Sequence, residues 1–212
     1  EIGDGARFES LDVTKEEDWT RAVDSTLGAL GRIDVLVNNA AVLHMGSIEN
    51  TPPEVFRRLL EVNTVGPYLG TRAVLSAMKS KGKGSIVMIS SIDGLVGMNG
   101  VCAYSASKFG IRGFAKATAL ELGRSGIRVN SVCAASGNPE MTAPWMDKMM
   151  PFLDHMVAYT ENRGIPGGAT LEQIANAVLY LASDASDGVT GIDVPVDGGA
   201  TAGKWIEGFN SL

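Results

Sequence analysis

The feature of this sequence that most constrains its fold is a regular alternation of strand-like and helix-like segments. Short apolar runs typical of strands occur at 33–39 (IDVLVNN), 85–90 (SIVMIS) and 127–133 (IRVNSVC). Segments with apolar residues at helical spacing lie between them, at about 64–80 and from residue 104 to 123. The alternation predicts an α/β fold, a doubly wound parallel sheet with helices on both faces. The nearly continuous apolar run 33–39 predicts a strand covered on both faces.

Two further segments extend the predicted sheet at its ends. RFESLDV at 7–13 predicts an additional strand, and IDVPV at 192–196 predicts an edge strand because Pro195 has no N–H to donate. Three capping boxes predict where helices begin, and they pair Thr14 with Glu17, Thr51 with Glu54 and Thr170 with Gln173. No repeat, linker or low-complexity tract interrupts the pattern, so we expect residues 1–212 to form a single domain.

Composition narrows the class of function. A net charge of -6 and a pI near 5.0 do not indicate the excess of positive charge that is typical of proteins that bind nucleic acid or anionic lipid. No apolar run approaches the roughly 18 residues of a membrane span, and the first ten residues do not resemble a signal peptide, so we expect a cytoplasmic protein. Cys102 and Cys133 lack metal-ligand spacing and are expected to be reduced thiols, with no metal site.

Polar side chains follow the ends of the predicted strands. Asn38 and Asn39 end one strand, Ser91 ends the next, and Tyr104 and Lys108 share a face of the following helix at positions i and i+4. The stretch CAAS at 133–136 follows the fourth strand. Because ligands bind beyond the carboxyl ends of the strands in such sheets, a hydroxyl, a phenol and an ammonium are expected to converge there.

This set of side chains suits proton transfer at a carbonyl or alcohol oxygen. A free tyrosine has a pKa of about 10, and positive charge on Lys108 is expected to lower the pKa of Tyr104 so that it can exchange a proton with the substrate. Ser91 could hold the same oxygen by a hydrogen bond. A cofactor must carry the hydride, because no side chain can.

Simpler interpretations of these residues stay open. Tyr104 and Lys108 in isolation could be a surface pair on a helix, and Ser91 could be a helix cap. Asn63 could be a helix-interior residue that is bonded locally, and Asp12 could merely precede a helix. His44 is expected to lie in a loop or in a pocket wall rather than to act as a base.

The motifs taken together resemble the short-chain dehydrogenase/reductase family along essentially the whole chain. They are LDVT at 11–14, LVNNA at 36–40, EVNTVGPY around Asn63, SIVMISS at 85–91, YSASK at 104–108, GIRVNSV at 126–132 and VTGIDVPVDGG at 189–199. Within the family, the sequence looks most like bacterial hydroxysteroid dehydrogenases. The resemblance implies a Rossmann-like sheet and an NAD- or NADP-dependent oxidoreductase that acts on a secondary alcohol or ketone.

The resemblance also implies roles for individual residues. Ser91, Tyr104 and Lys108 would form the catalytic triad, and Asn63 would hold a water molecule that relays protons to Lys108. The resemblance also implies three groups of cofactor contacts. Asp12 and Val13 would lie beside the adenine, and Asn39 and Ala40 would lie along the dinucleotide. Tyr104 and Lys108 would contact the nicotinamide end. NAD and NADP both stay open, because the residue that normally discriminates them ends a strand that this sequence lacks.

The sequence departs from the family pattern on the cofactor side. The glycine-rich GxxxGxG turn and its flanking strands are absent, so we expect an N-terminally incomplete domain. Ala41 stands where the family usually has glycine, Ala134 and Ala135 replace a Pro-Gly pair, and Pro139 replaces a threonine. A catalytically silent relative that acts as a binding or oligomerisation module, or a non-functional fragment, therefore stays an alternative to an enzyme.

The segment 139–166 is rich in methionine and coincides with the substrate lid of the family. As a lid it predicts a bulky apolar substrate such as a steroid or another cyclic ketone. Plain helix packing or a subunit contact would explain the same composition. The resemblance further implies a homotetramer built through the helix around 64–80, the helix that carries Tyr104 and the edge strand 192–196.

Overall fold

A computed structural model describes residues 5–135, 139–206 and 208–209 of the chain. One sheet of four parallel strands runs in the order β1 (Val35–Asn38), β2 (Gly84–Ser91), β3 (Ile127–Ala134) and β4 (Asp193–Val196). The α-helices of the described residues are α1 (Glu16–Leu30), α2 (Pro53–Leu60), α3 (Gly66–Lys81), α4 (Cys102–Leu122), α5 (Pro139–Thr142), α6 (Met146–Met149), α7 (Leu153–Glu161) and α8 (Leu171–Ala182). The predicted α/β class with a parallel sheet is confirmed.

The central strand β2 explains why helices cover both faces of the sheet. Its residues alternate in direction, so that Ile86 and Met88 pack into one apolar cluster with α3 and α4, while Val87 packs with Leu181 of α8 into another. All four side chains are fully buried. Because both faces of β2 carry apolar residues, helices pack against both sides of the sheet.

The first predicted strand is wrong. Residues 7–12 have no regular secondary structure, and the side chain of Phe8 is 91% exposed. Among the described residues no strand pairs with the outer edge of β1, so the segment 7–13 lacks the neighbour that its backbone N–H and C=O groups would need.

The prediction that 33–39 is covered on both faces is also wrong. Strand β1 comprises only Val35–Asn38. It lies at an edge of the sheet as the structure describes it, and Val35 and Val37 are 37% and 40% exposed. An apolar run therefore specified the strand but not its place in the sheet.

The edge position of β4 is confirmed within the described sheet. Among the described residues it pairs with β3 alone, and Pro195 stands opposite Cys133 in the parallel register. An edge strand tolerates proline because only one side of it must supply ladder hydrogen bonds.

One of the three predicted capping boxes is present. The Thr170 hydroxyl accepts a hydrogen bond from the Gln173 N–H at 3.1 Å, and the Gln173 side chain accepts one from the Thr170 N–H at 2.9 Å. The other two boxes are wrong. The Thr14 hydroxyl donates instead to Asp12 and the Thr51 hydroxyl to the Ser47 carbonyl, so acceptors that precede these threonines take their hydrogen bonds.

The predicted helix at about 64–80 is preceded by a turn that the sequence did not indicate. Residues Glu61–Val65 form a π-helical turn between α2 and α3. Such turns widen a helix locally and occur often at functional sites. This one carries Asn63, which is 2% exposed.

Candidate active site

The carboxyl end of β2 brings Ser91 next to Tyr104. Ser91 is the last residue of the strand and caps the 3-10 turn Ile92–Gly94, where its hydroxyl oxygen accepts the Asp93 N–H at 3.1 Å. Tyr104 lies in the first turn of α4 and is 8% exposed, and it is close enough to Ser91 for the Ser91 side chain to lower the pKa of the phenol. Ser91 is thus both a cap and a neighbour of the phenol.

Lys108 lies one helical turn beyond Tyr104 and is buried behind it. Its Nζ is 5.5 Å from the centroid of the Tyr104 ring and donates a hydrogen bond to the Ile89 carbonyl at 2.8 Å. Lys108 is only 3% exposed, which excludes the interpretation of a surface pair. The predicted convergence of hydroxyl, phenol and ammonium is therefore present in the structure.

Burial dominates the acid–base properties of the pair. It lowers the pKa of Lys108 to about 8, because the ammonium loses its hydration. It raises the pKa of Tyr104 to about 12, against a smaller lowering by the Ser91 side chain. The expected lowering of the Tyr104 pKa is therefore wrong for this structure. The sequence shows the nearby cation but not the depth at which the phenol is buried.

Asn63 connects the loop after β1 to α4. Its Oδ1 accepts the Val42 N–H at 2.8 Å, and its Nδ2 donates to the Val42 carbonyl at 2.9 Å and to the Ser107 hydroxyl at 3.0 Å. The alternative of a locally bonded residue is wrong, because these partners are 21 and 44 positions away. The proposed water relay through Asn63 stays a prediction.

Three of the predicted cofactor residues line one small cavity. Its volume is about 150 Å³, and its walls are Leu11, Val13, Trp19, Val37, Asn38, Asn39, Ala40 and Pro67. This volume is large enough for a single planar ring but not for a whole dinucleotide. Pockets that bind small molecules usually have volumes of several hundred Å³. The slot is mostly apolar, and Asn38 and Asn39 are among the residues that line it.

Asp12 borders this cavity through its neighbours Leu11 and Val13. Its carboxylate accepts the Thr14 hydroxyl at 2.7 Å and the Thr14 N–H at 3.0 Å, and these hydrogen bonds lower its pKa. Asp12 therefore shapes the turn into α1, and its own side chain is not among the residues that line the slot. Its contact with the adenine stays a prediction.

Sequence reasoning missed Asp93, which lies next to the predicted catalytic residues Ser91 and Tyr104. The Ser91 hydroxyl donates to the Asp93 carboxylate at 3.3 Å, and burial raises the pKa of Asp93. The negative charge also raises the pKa of Tyr104, after burial as the larger cause. A carboxylate two residues after the strand-end serine was the available signal.

His44 contacts the segment 139–166. Its ring meets that of Trp145 edge-to-face, with 5.1 Å between the centroids. Within the described residues the Nε2 atom of His44 is buried without a hydrogen-bond partner. His44 thus lies in the loop after β1, as one of the two predicted alternatives has it, and contacts the segment 139–166 through Trp145.

The segment 139–166 consists of short helices with exposed apolar side chains. It contains α5, α6 and α7, and Met150 and Phe152 are 54% and 59% exposed. Of the residues that depart from the family pattern, Ala134 ends β3 opposite Val196 and Pro139 begins α5. Ser136, at the end of the stretch 133–136, lies outside the described residues.

Comparison with protein families matches residues 1–201 to a family described as enoyl-(acyl carrier protein) reductase. Among curated proteins, the 3-alpha-(or 20-beta)-hydroxysteroid dehydrogenase of Mycobacterium tuberculosis is 44% identical over 212 residues, which is 100% of this chain and 77% of that protein. The cyclopentanol dehydrogenase of Comamonas testosteroni is 41% identical over 201 residues, which is 94% of this chain and 78% of that protein.

Solved structures show the same fold. A gluconate 5-dehydrogenase from Burkholderia cenocepacia, crystallised with NADP and tartrate, superposes with a TM-score of 0.83 at 27% identity, over 91% of this chain and 74% of that one. An NAD⁺-bound xylitol dehydrogenase gives a TM-score of 0.82 at 26% identity, over 89% and 77% of the two chains.

Proposed function

The chain belongs to the short-chain dehydrogenase/reductase family, and on that premise we propose that it is an oxidoreductase that transfers a hydride between a nicotinamide cofactor and a secondary alcohol or ketone. The observation that carries the proposal is the burial of Tyr104 beside Ser91, with the Lys108 Nζ buried 5.5 Å from the centroid of the Tyr104 ring. This arrangement offers a proton donor and a second hydrogen-bonding group to one substrate oxygen.

In the direction of ketone reduction, the phenol gives its proton to the carbonyl oxygen. A pKa of about 12 keeps Tyr104 protonated at neutral pH, so the donor is in the required state before the reaction. The Ser91 hydroxyl stabilises the oxygen on which negative charge develops. The Lys108 ammonium, next to the phenol, favours the phenolate that is left behind. A bound nicotinamide supplies or accepts the hydride.

The cofactor would lie along the carboxyl edge of the sheet. We assign Asp12 and Val13 to the adenine, Asn39 and Ala40 to the dinucleotide, and Tyr104 and Lys108 to the nicotinamide end. The shared cavity of Val13, Asn39 and Ala40 supports this path. Both NAD and NADP stay candidates, since the two similar crystal structures hold NADP in one case and NAD⁺ in the other.

The proposed substrate is a bulky apolar cyclic alcohol or ketone, such as a steroid. Similar curated proteins are a hydroxysteroid dehydrogenase and a cyclopentanol dehydrogenase. We assign the segment 139–166 as the lid, because its exposed apolar side chains would cover such a substrate and Trp145 already contacts the loop at His44.

The test is reduction of cyclopentanone, cyclohexanone and a ketosteroid with NADH or NADPH, followed by the absorbance of the reduced nicotinamide. Tyr104→Phe should lower kcat by about 10²- to 10⁴-fold, because only the proton donor is removed. Tyr180→Phe is the matched control, since Tyr180 lies in α8 and is 41% exposed. Equal activity of the two variants would contradict the assignment of Tyr104.

A second candidate is a catalytically silent relative that serves as a binding or oligomerisation module. It is favoured by the alanines at positions 41, 134 and 135 and by the small size of the cavity, about 150 Å³. Calorimetric titration with NADH and with NADPH separates the two candidates. Cooperative unfolding without saturable binding of either dinucleotide would support the module and contradict the enzyme.

The proposed assembly is a homotetramer built through α3, α4 and β4. Exposed apolar side chains on these helices support it, because Tyr68 of α3 is 45% exposed and Phe109 and Leu120 of α4 are 44% and 84% exposed. Light scattering coupled to size exclusion should give four times the mass of one chain. A monomer at micromolar concentration would contradict the proposal.

A further inference from the structure

Helix α4 carries a second charged residue on the face that holds Tyr104 and Lys108. Arg112 follows Lys108 at position i+4, so the three side chains form one row along the helix. The Arg112 side chain is 17% exposed and makes two contacts outside its own helix. One guanidinium nitrogen donates to the Gly94 carbonyl, and the other donates to Asp193 Oδ2 at 2.8 Å.

The contact with Gly94 reaches the turn that starts at Ser91. Ser91 is the N-cap of the 3-10 turn Ile92–Gly94, and Gly94 is its last residue. A Cβ atom at Gly94 would lie 2.7 Å from Ser90 Oγ and 2.8 Å from the Lys108 carbonyl oxygen, so the turn packs directly on α4. Any displacement of Gly94 would therefore move the short turn of which Ser91 forms the other end.

The contact with Asp193 fixes Arg112 to the edge strand. Asp193 lies in β4, and its side chain is 10% exposed. Lys116, the next residue in the row on α4, also pairs with Asp193 Oδ2 at 2.7 Å. Arg112 alone joins Asp193 to Gly94, because no contact between Lys116 and the turn is present among the described residues.

We propose that Arg112 is a positioning residue that sets the Ser91 hydroxyl against Tyr104 by anchoring the Ser91 turn to α4 and β4. The inference rests on the proposed oxidoreductase function and deepens it. Arg112 acts through Ser91 and touches no reacting atom. A guanidinium suits this role because its planar group can donate to a carbonyl and to a carboxylate at the same time. A lysine ammonium at this position cannot make both hydrogen bonds with that geometry.

The test measures the Tyr104 hydroxyl environment without cofactor or turnover. Tyrosine labelled with ¹³C at Cζ gives one signal for each of the four tyrosines, and Tyr104→Phe identifies the signal of Tyr104. Ser91→Ala should shift that signal, because it removes the hydroxyl that lowers the pKa of the phenol. Arg112→Met should shift it in the same direction, and the Ser91→Ala/Arg112→Met double variant should show no shift beyond that of Ser91→Ala.

Lys116→Met is the matched control, since it removes the other cation on Asp193 and should leave the Tyr104 signal in place. In turnover, Arg112→Met should lower kcat by about 10- to 100-fold with little change in KM, and by no further factor in the Ser91→Ala background. If Arg112→Met does not fold, Arg112→Lys is measured in the same way and should give a smaller shift in the same direction.

A folded Arg112→Met protein with an unchanged Tyr104 signal would overturn the proposal. The proposal would also be overturned if Arg112→Met shifted the Tyr104 signal equally in the wild-type and in the Ser91→Ala background. That result would indicate a general structural effect. An inactive wild-type protein in which the Tyr104 signal still responds through Ser91 would count against the oxidoreductase function and not against the positioning role.

Discussion

The Ser91 hydroxyl donates a hydrogen bond to the Asp93 carboxylate, with 3.3 Å between the two oxygens. The Ser91 side chain also lowers the pKa of Tyr104, so one hydroxyl lies between a carboxylate and the phenol that is the proposed proton donor. A substrate oxygen that approaches Tyr104 must therefore compete with Asp93 for the proton of Ser91. The carboxylate thus sets both the availability of Ser91 and the charge around Tyr104.

Asp93→Asn should lower the pKa of Tyr104. Burial is the main cause of the raised pKa and is unchanged in this variant, but the negative charge that also raises it is removed. In alcohol oxidation, where Tyr104 must accept a proton, half-maximal activity should therefore occur at a lower pH than in the wild-type protein. The measurement is the pH dependence of kcat, with the exposed Asp187→Asn as control. An unchanged or raised pH midpoint would show that Asp93 does not act on Tyr104.

Lys108→Met should change how the stability of the protein depends on pH. The pKa of Lys108 is about 8 in the folded state and 10.5 as its ordinary value. Below pH 8 Lys108 is protonated in both the folded and the unfolded protein, so burial of its charge lowers the free energy of unfolding by its full amount. Between about pH 8 and pH 10.5 the unfolded chain binds more protons, so the free energy of unfolding contributed by Lys108 rises with pH.

The Lys108→Met variant lacks this rise of the free energy of unfolding with pH. Urea unfolding at about pH 7.5 and about pH 10 should therefore show that the stability of Lys108→Met relative to the wild-type protein decreases with pH. The exposed Lys79→Met should keep the wild-type dependence, because Lys79 is not buried. A constant difference between Lys108→Met and the wild-type protein at the two pH values would mean that Lys108 is not desolvated.

Asn63→Ala should destabilise the fold by roughly 1–3 kcal/mol, because it leaves the Val42 N–H and carbonyl without their partner in a buried setting. Asn50→Ala is the matched control. The exposed Asn50 side chain donates to the exposed Ser47 hydroxyl at 3.0 Å, so its loss should cost less than about 0.5 kcal/mol. Urea unfolding measures both variants. Equal stabilities would show that the bonds to Val42 contribute nothing net.

The sequence was sufficient to predict the centre of the molecule. Apolar runs located β2 and β3, and the i, i+4 spacing placed Tyr104 and Lys108 on one face of α4, because these features depend on local periodicity. The segment 7–13 had the composition of a strand, but its structure depended on a neighbouring strand. Local patterns carry no information about whether such a partner is present.

The parts of the site that sequence reasoning missed are those that depend on tertiary packing. Burial, which no local pattern reports, reversed the expected direction of the Tyr104 pKa. Arg112 meets Asp193 across 81 positions, and only the packing of α4 against β4 reveals the pair. The chemical groups at the site were thus predictable, whereas their electrostatic environment and their supports were not.

Trp145→Ala should weaken the binding of a bulky ketone and spare that of a small one, if the segment 139–166 is the lid. Trp145 is the aromatic residue that joins this segment to His44, with 5.1 Å between the rings, and its loss would open the wall over a large substrate. We expect KM for a ketosteroid to rise about 10-fold while KM for cyclopentanone stays within about twofold. Trp205→Ala, at a tryptophan that is 46% exposed near the end of the described chain, is the control and should change neither value. Equal changes for both ketones would instead indicate a general loss of structure, and no change for either would assign the segment to helix packing or a subunit contact.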